Sequence, residues 1–224
     1  MPQIYKLSPS DFAYLWEECK FCYYQKIKNG ITYGGIFPAM FGKINGLLQD
    51  SIMGKNISDI IPQLPSGIVT VQEGFLKSKI IPGTTVYLSG RFDILTELAD
   101  GSFALIDFKI TTPDDERILK KYKSQLHAYK YALENPAQGN PIKISKMGAV
   151  SIHPDEMKLV NGKIQFSATP TYHSVEKNMD EFKSLMKEIS DFLNGPLPPE
   201  GQNCPLCGYR AKFKEGKIED GLPF

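Results

Sequence analysis

Three residues that can do chemistry stand on two neighbouring β-rich segments of this 224-residue chain: Asp93, Asp107 and Lys109. Alternate side chains of a strand share a face, so Asp107 and Lys109 point the same way while Phe108 points into the core. Asp93 and Asp107 lie equally far from Asp100 along the chain. A hairpin centred on Asp100 would therefore bring the two carboxylates together.

Two neighbouring carboxylates repel each other unless a cation lies between them. Mg²⁺ or Mn²⁺ is the natural occupant, because hard divalent ions prefer oxygen ligands. Lys109 cannot be a ligand, but its ammonium group can neutralise a phosphate or orient a water. Such a set suits phosphodiester hydrolysis, which needs an activated water and stabilised charge on the phosphoryl oxygens. The apolar neighbours Ile94 and Ile106 place the acids in buried strands, where an unpaired charge is costly.

The apolar periodicity predicts the elements that would position these residues. Asp100-Gly101 and Pro82-Gly83 separate three consecutive antiparallel strands, and a helix then leads to a strand that returns in parallel. Ser8 is the predicted cap of the first helix. The predicted helices are 8–24, 37–52, 113–133 and 175–193, and the predicted strands are 68–80, 85–98, 102–110, 147–153 and 163–167.

Three short motifs follow one another on these elements: G-R-F-D at 90–93, D-F-K at 107–109 and Q-L-H-A-Y at 125–129. In this order they resemble the active-site signature of the PD-(D/E)XK nuclease superfamily. The resemblance is to its RecB-like branch, which includes the CRISPR-associated Cas-four-type and AddB-type exonucleases. It implies an α/β fold with an αβββαβ core, in which helices flank a mixed sheet.

The resemblance also implies roles for the motif residues. Asp93, Asp107 and the backbone carbonyl of Phe108 would bind Mg²⁺ or Mn²⁺, and Lys109 would be the catalytic lysine.

Four further residues are candidates for the same site. Gln125 and Tyr129 are one helical turn apart and can face the site or the DNA, although Tyr129 also lies on the apolar stripe and can serve packing alone. Asn45 stands where the family has a histidine metal ligand, and is a candidate ligand in its place. Glu73 is either an extra acidic contributor or a solvated strand residue.

Lysines on the helix 113–133 are predicted to contact DNA phosphates, with Tyr122 or Tyr129 available to stack on a base. The alternative is a solvated helix face. The net charge of +1 means that any DNA-binding charge must be local. These lysines are Lys120, Lys121, Lys123 and Lys130.

Two C-x-x-C pairs, Cys19 with Cys22 and Cys204 with Cys207, stand near opposite ends of the chain. Together they predict one metal site that joins the two ends, since a disulfide is disfavoured in the cytoplasm. The family resemblance favours a 4Fe–4S cluster, whereas the knuckle-like CPLCGYR favours structural Zn²⁺. The spacing is compatible with both; we expect the 4Fe–4S cluster, with structural Zn²⁺ as the alternative.

Other classes of protein are poorly supported. The chain has no apolar stretch long enough to cross a membrane and no signal-peptide pattern, so it is predicted to be cytoplasmic. No phosphate-binding glycine loop and no Ser/His/Asp set is evident from the sequence. We expect a single domain made of an N-terminal helix with a cysteine pair (1–36), a catalytic core (37–153), a strand and a helix (154–196) and a cysteine-containing tail (197–224).

The predicted function is a metal-dependent deoxyribonuclease. By the resemblance, it would be an exonuclease acting on single strands or DNA ends, in recombination, repair or CRISPR adaptation, with proteins of those systems as partners. The alternative is a catalytically weak or inactive DNA-binding module of such a complex.

Overall fold

The computed structural model describes residues 3–32 and 39–214. Helices flank a six-stranded mixed sheet, and a two-stranded hairpin stands apart from it. The strands are β1 (Tyr5–Leu7), β2 (Gly67–Lys77), β3 (Val86–Leu98), β4 (Phe103–Ile110), β5 (Ile144–Ile152), β6 (Pro154–Val160), β7 (Lys163–Ala168) and β8 (Thr171–Ser174). The helices are α1 (Pro9–Asp11), α2 (Lys20–Asn29), α3 (Ala39–Ile52), α4 (Asp115–Glu134), α5 (Met179–Asn194) and α6 (Pro205–Lys214), with a π-helical turn at Phe12–Trp16 and a 3₁₀ turn at Ile57–Asp59.

The sheet has the strand order β1-β3-β4-β5-β8, and β2 pairs with β3. Strands β2, β3 and β4 are antiparallel, and β5 returns parallel to β4 after α4. Both features confirm the sequence prediction. The segment from α3 to β5 also has the predicted αβββαβ order.

The β3–β4 turn sets the register of the two central strands. Asp100 Oδ1 accepts a hydrogen bond from the Ser102 amide at 2.9 Å, and Gly101 has a φ of +74°, which glycine adopts without strain. Ile94 therefore lies opposite Ile106, as expected for a hairpin centred on Asp100.

The two faces of the sheet bury different cores. Leu95 and Leu105 pack with Leu126 of α4, whereas Ile94 and Ile106 pack with Ile52 of α3. Since side chains alternate along a strand, Asp107 shares the face of Leu105, beneath α4.

The first predicted helix is not continuous. Helical structure begins at Pro9, passes into the π-helical turn, and stops before Cys19, whose extended backbone (φ −158°) caps α2. Ser8 precedes the first helix, but its side chain makes no capping hydrogen bond. The break has a local reason, because Cys19 Sγ accepts a hydrogen bond from the Cys22 amide at 3.5 Å.

The C-terminal half contains more strand than the sequence predicted. Strand β7 is confirmed, but β6 and β8 were not expected, and β8 takes the chain to Ser174 before Asn178 caps α5. The central sheet thus takes β1 and β8 from outside the predicted 37–153 core. Phe37, the predicted start of α3, lies outside the described residues. No helix within the described ranges is long and apolar enough to span a bilayer.

Candidate active site

The two carboxylates lie where the β3–β4 pairing ends. The last paired residues are Ile94 and Ile106, so Asp93 and Asp107 come directly after the ladder. Asp93 Oδ2 accepts a hydrogen bond from the Phe108 amide at 2.6 Å, which ties β3 to β4 through a side chain. Asp107 is only 2% exposed. The predicted proximity of the two acids is therefore present.

Lys109 supplies one positive charge to this pair. Its Nζ lies 2.6 Å from Asp107 Oδ2 and 4.4 Å from the centre of the Tyr122 ring. Burial alone would lower the pKa of Lys109, but the Asp107 carboxylate, together with Tyr14 and Asp93, outweighs burial and raises that pKa above its ordinary value. Burial, and then the charge of Asp107, raise the pKa of Asp93 to about 7. The site is thus short of positive charge at Asp93.

Helix α4 reaches the carboxylates through Gln125 and Tyr129. Gln125 Nε2 is 3.4 Å from Asp107 Oδ1 and 2.8 Å from the Tyr129 hydroxyl, while its Oε1 is 3.5 Å from Lys109 Nζ. Gln125 is 2% exposed, so it is a buried polar residue bonded to both charged groups. Tyr129 belongs to the core and also joins this hydrogen-bond network. Both of its predicted roles, packing and facing the site, are therefore present.

Helix α3 approaches the acidic residues through Gln49, which the sequence analysis missed. Gln49 is fully buried, and its Nε2 donates to Glu73 Oε1 at 3.2 Å. Its own Oε1 is buried and has no hydrogen-bond partner among the described residues. Asn45, the predicted candidate ligand, lies one helical turn earlier, and its buried Oδ1 is likewise unpartnered within 3–32 and 39–214. The sequence feature that could have identified Gln49 is a polar residue between the apolar Leu48 and Ile52 of α3.

Glu73 lies beside Asp93 on the neighbouring strand. The pairs Gln72–Ile94 and Gly74–Phe92 bracket it, which places it opposite Asp93. Its φ of +48° is unusual for a residue with a side chain and costs of order 1 kcal/mol or more. The negative charge of Glu73 also contributes to the raised pKa of Asp93. Glu73 is therefore part of the acidic cluster.

The predicted DNA-contacting side chains of α4 are mostly engaged elsewhere. Tyr122 is 6% exposed, so its ring cannot stack on a base. Lys130 is 4% exposed, is paired with Glu134, and donates to the Ile144 carbonyl at 2.8 Å. These two assignments are corrected.

The other three lysines that were predicted to contact DNA differ in the partners of their ammonium groups. Lys123 Nζ forms an ion pair with Glu181 at 2.5 Å, so its charge is already matched. Lys121 lies 4.4 Å above the Tyr14 ring, and Lys120 is exposed. Tyr14 itself was not predicted. It is 47% exposed, and its hydroxyl is 3.0 Å from that of Tyr122.

A Ser/His/Asp set does exist, contrary to the sequence analysis. Ser151 Oγ lies 2.8 Å from His173 Nε2, and His173 Nδ1 pairs with Asp115. Ser151 and His173 are 1% and 2% exposed, so no substrate carbonyl can reach the hydroxyl. The three residues instead tie β5, β8 and the start of α4 together.

The four cysteines come together, as the sequence predicted, and could hold a metal. Their Sγ atoms all lie within 4.8 Å of one another, and all four residues are buried or nearly so. Arg210 Nη2 is 3.4 Å from both Cys22 Sγ and Cys207 Sγ.

Comparison with known proteins gives a fold and no family. No protein-family model matches the sequence, and no curated protein does either. A crystal structure of SSO0001 is similar, with a TM-score of 0.52 and 14% identity over 94% of this chain and 86% of that one. The likeness is one of fold alone.

Proposed function

We propose that this chain is a metal-dependent deoxyribonuclease that hydrolyses phosphodiester bonds at the end of the β3–β4 ladder. The observation that carries the proposal is the pair of buried carboxylates, Asp93 and Asp107, which share the single cation of Lys109. A buried site with one positive charge too few is suited to a divalent ion. The resemblance of the three motifs to PD-(D/E)XK nucleases supports the same reading.

The donor set fits Mg²⁺ or Mn²⁺. Asp93 and Asp107 would provide carboxylate oxygens and Phe108 its backbone carbonyl, as the motif resemblance implies. Glu73 would add a carboxylate, and Gln49, whose amide nitrogen holds Glu73, would offer the amide oxygen that has no partner among the described residues. When bound, the ion would lower the pKa of a ligated water and offset charge on the phosphoryl group.

The remaining residues position the reaction. Lys109 Nζ would bind a phosphate oxygen or the attacking water, since the divalent ion would take over part of the neutralisation of Asp107. Gln125 holds both Asp107 and Lys109, and Tyr129 holds Gln125. This arrangement fixes the lysine and the carboxylate relative to each other before substrate binds.

The DNA strand would approach beside Tyr14. Tyr14 is exposed, contacts Tyr122, and thereby lies one side chain away from Lys109. Its ring offers a stacking surface for a base, and Lys121 and Lys120 lie where they can meet phosphates. Tyr14→Ala should raise KM for single-stranded DNA several-fold with kcat nearly kept. An unchanged KM would exclude this path.

The biological setting follows only from the motif resemblance. It points to action on single strands or ends in recombination, repair or CRISPR adaptation, with proteins of those systems as partners. The rival is a DNA-binding module without catalysis, which would need no divalent ion at Asp93 and Asp107.

Calorimetric titration with Mn²⁺ separates these two functions. The parent protein should bind the ion at the carboxylate cluster, and Asp107→Asn should lose that binding while Asp59→Asn, an exposed acid, should retain it. A parent protein that binds DNA but no Mn²⁺ would favour the rival.

A further inference from the structure

We infer that the four cysteines bind one tetrahedral zinc ion rather than a four-iron cluster, and that Arg210 is a positioning residue for the thiolates. This site is remote in sequence from the carboxylates and does not depend on their proposed chemistry.

The sulfur–sulfur distances decide between the two metals. Cys19 to Cys207, Cys22 to Cys204 and Cys22 to Cys207 are each 3.7 Å between Sγ atoms. Four thiolates about 2.3 Å from one zinc ion, at tetrahedral angles, lie about 3.8 Å apart. In a cubane cluster each thiolate binds a different iron at a corner of the cube, which spreads the sulfur atoms much farther apart. All four Sγ atoms lie within 4.8 Å of one another, so the full set is slightly wider than an ideal single-ion site but far more compact than a cubane cluster, and its spacing fits one ion.

The packing around the sulfur atoms leaves little room to expand. A Cβ atom built on Gly201 would lie 2.9 Å from Cys19 Sγ and 3.1 Å from Cys204 Cβ, so the backbone already touches the site there. Phe21 and Leu206 close the same apolar cluster. Four irons and four sulfides would have to displace both backbone and side chains. The 4Fe–4S cluster favoured by the family resemblance therefore does not fit these residues.

Arg210 completes the site electrostatically. One zinc ion with four thiolates carries a net charge of −2, which is costly in an apolar cluster. The Arg210 guanidinium donates to Cys22 Sγ and Cys207 Sγ at 3.4 Å each, and it lies 4.8 Å from the centre of the Phe21 ring. The Cys22 amide donates to Cys19 Sγ at 3.5 Å. These hydrogen bonds orient the thiolates and offset their charge.

Metal analysis tests the identity of the ion. The protein is produced in medium that contains both zinc and iron, purified without oxygen, and assayed for metals, acid-labile sulfide and visible absorption. We expect about one zinc per chain, no sulfide and a colourless protein. Iron in place of zinc, either with sulfide and a brown colour or as a single coloured ion, would overturn the inference.

Two variants of α6 test the role of Arg210. Arg210→Gln should keep the fold and the stoichiometry but release zinc to a chelator at about tenfold lower chelator concentration than the parent. Lys212→Gln removes an exposed cation from the same helix and should behave like the parent. Equal zinc affinity in the two variants would overturn the role of Arg210.

Substitution of the metal provides a readout in the parent protein, which does not depend on whether the Arg210 variant folds. Co²⁺ exchanged into the parent protein should give the intense visible absorption of a tetrahedral thiolate site. A Co²⁺-loaded protein with only the weak absorption of octahedral oxygen ligation would overturn the single-ion site.

Discussion

The carboxylate site and the cysteine site are assembled in opposite ways. Asp93, Asp107 and Lys109 stand on two paired strands, and their positions follow from a hairpin register that exists without any ligand. The cysteines join segments more than 180 residues apart, and their apolar cluster is separate from the two larger cores. Changes at the first site should therefore remove chemistry and spare the fold, whereas changes at the second should loosen the ends and only weaken the chemistry.

The largest effect is expected from Asp107→Asn and Lys109→Met. Each removes a charge that would act on the metal or the phosphate, so cleavage should fall by at least about 10²-fold. Circular dichroism should show that the fold survives, because the hairpin turn and both cores are untouched. Lys109→Met should lower the thermal midpoint, since it leaves the buried Asp107 carboxylate without its cation. Asp59→Asn is the control for the loss of one acid. Full activity in either folded variant would remove these residues from the active site.

The reverse pattern is expected from Cys204→Ser. Loss of one thiolate should release the bound ion and free the chain after Pro196 for limited proteolysis, while cleavage activity falls without vanishing. Digestion followed by mass spectrometry locates the first cuts. Protection equal to that of the parent would show that the cysteine site does not hold the tail.

A third comparison uses pH. The metal-free protein holds a proton on Asp93 up to about pH 7, and a divalent ion must displace it. Below that pKa, Mn²⁺ affinity should rise by up to about tenfold per pH unit, and it should level off at about pH 8. Because folding raises the pKa of Asp93, its ionisation destabilises the metal-free fold, and the free energy of unfolding should fall as pH rises toward that pKa. Asp93→Asn should remove this fall. Calorimetry and thermal unfolding at about pH 6 and about pH 8 measure both effects. A flat affinity would mean that Asp93 is not a ligand.

The smallest effect separates two positions on α3. Gln49→Ala should weaken Mn²⁺ binding several-fold, because its amide nitrogen holds Glu73 in the acidic cluster and its buried amide oxygen has no partner among the described residues. Asn45→Ala, one turn away, is the matched variant and should change affinity less. A larger loss from Asn45→Ala would return the ligand assignment to Asn45, where the motif resemblance placed it.

Local rules explain what the sequence could predict. The Asp-Gly turn and strand alternation were sufficient for the β3–β4 register. The helical spacing was sufficient to place Gln125 and Tyr129 on one face of α4, where Gln125 contacts both Asp107 and Tyr129. These features depend on residues close in the chain. Gln49 was missed because its significance depends on Glu73, which lies on another element.

Tertiary packing explains the errors. Helix α4 is covered by the sheet on one side and by α5 and the π-helical turn elsewhere, so Lys130 is buried although it is charged. Tyr122 lies on the apolar stripe of α4 with Ile118 and Leu126, so its burial follows the helix period and rules out its predicted role in stacking. The first helix breaks at Cys19, whose Sγ accepts the local hydrogen bond from the Cys22 amide and also lies 3.7 Å from Sγ of the distant Cys207. The kind of metal could not be predicted either, because C-x-x-C pairs serve zinc and iron–sulfur sites alike and only the sulfur distances differ.

The most direct test of the carboxylate site is a cleavage time course with the parent protein and an end-labelled single strand of DNA. The reaction is run with Mg²⁺, with Mn²⁺ and with a chelator strong enough to remove either ion. Labelled products should appear with Mg²⁺ or Mn²⁺, and the DNA should remain intact with the chelator. DNA that is bound but remains intact with both metals would contradict the proposed nuclease activity and leave a binding module in its place.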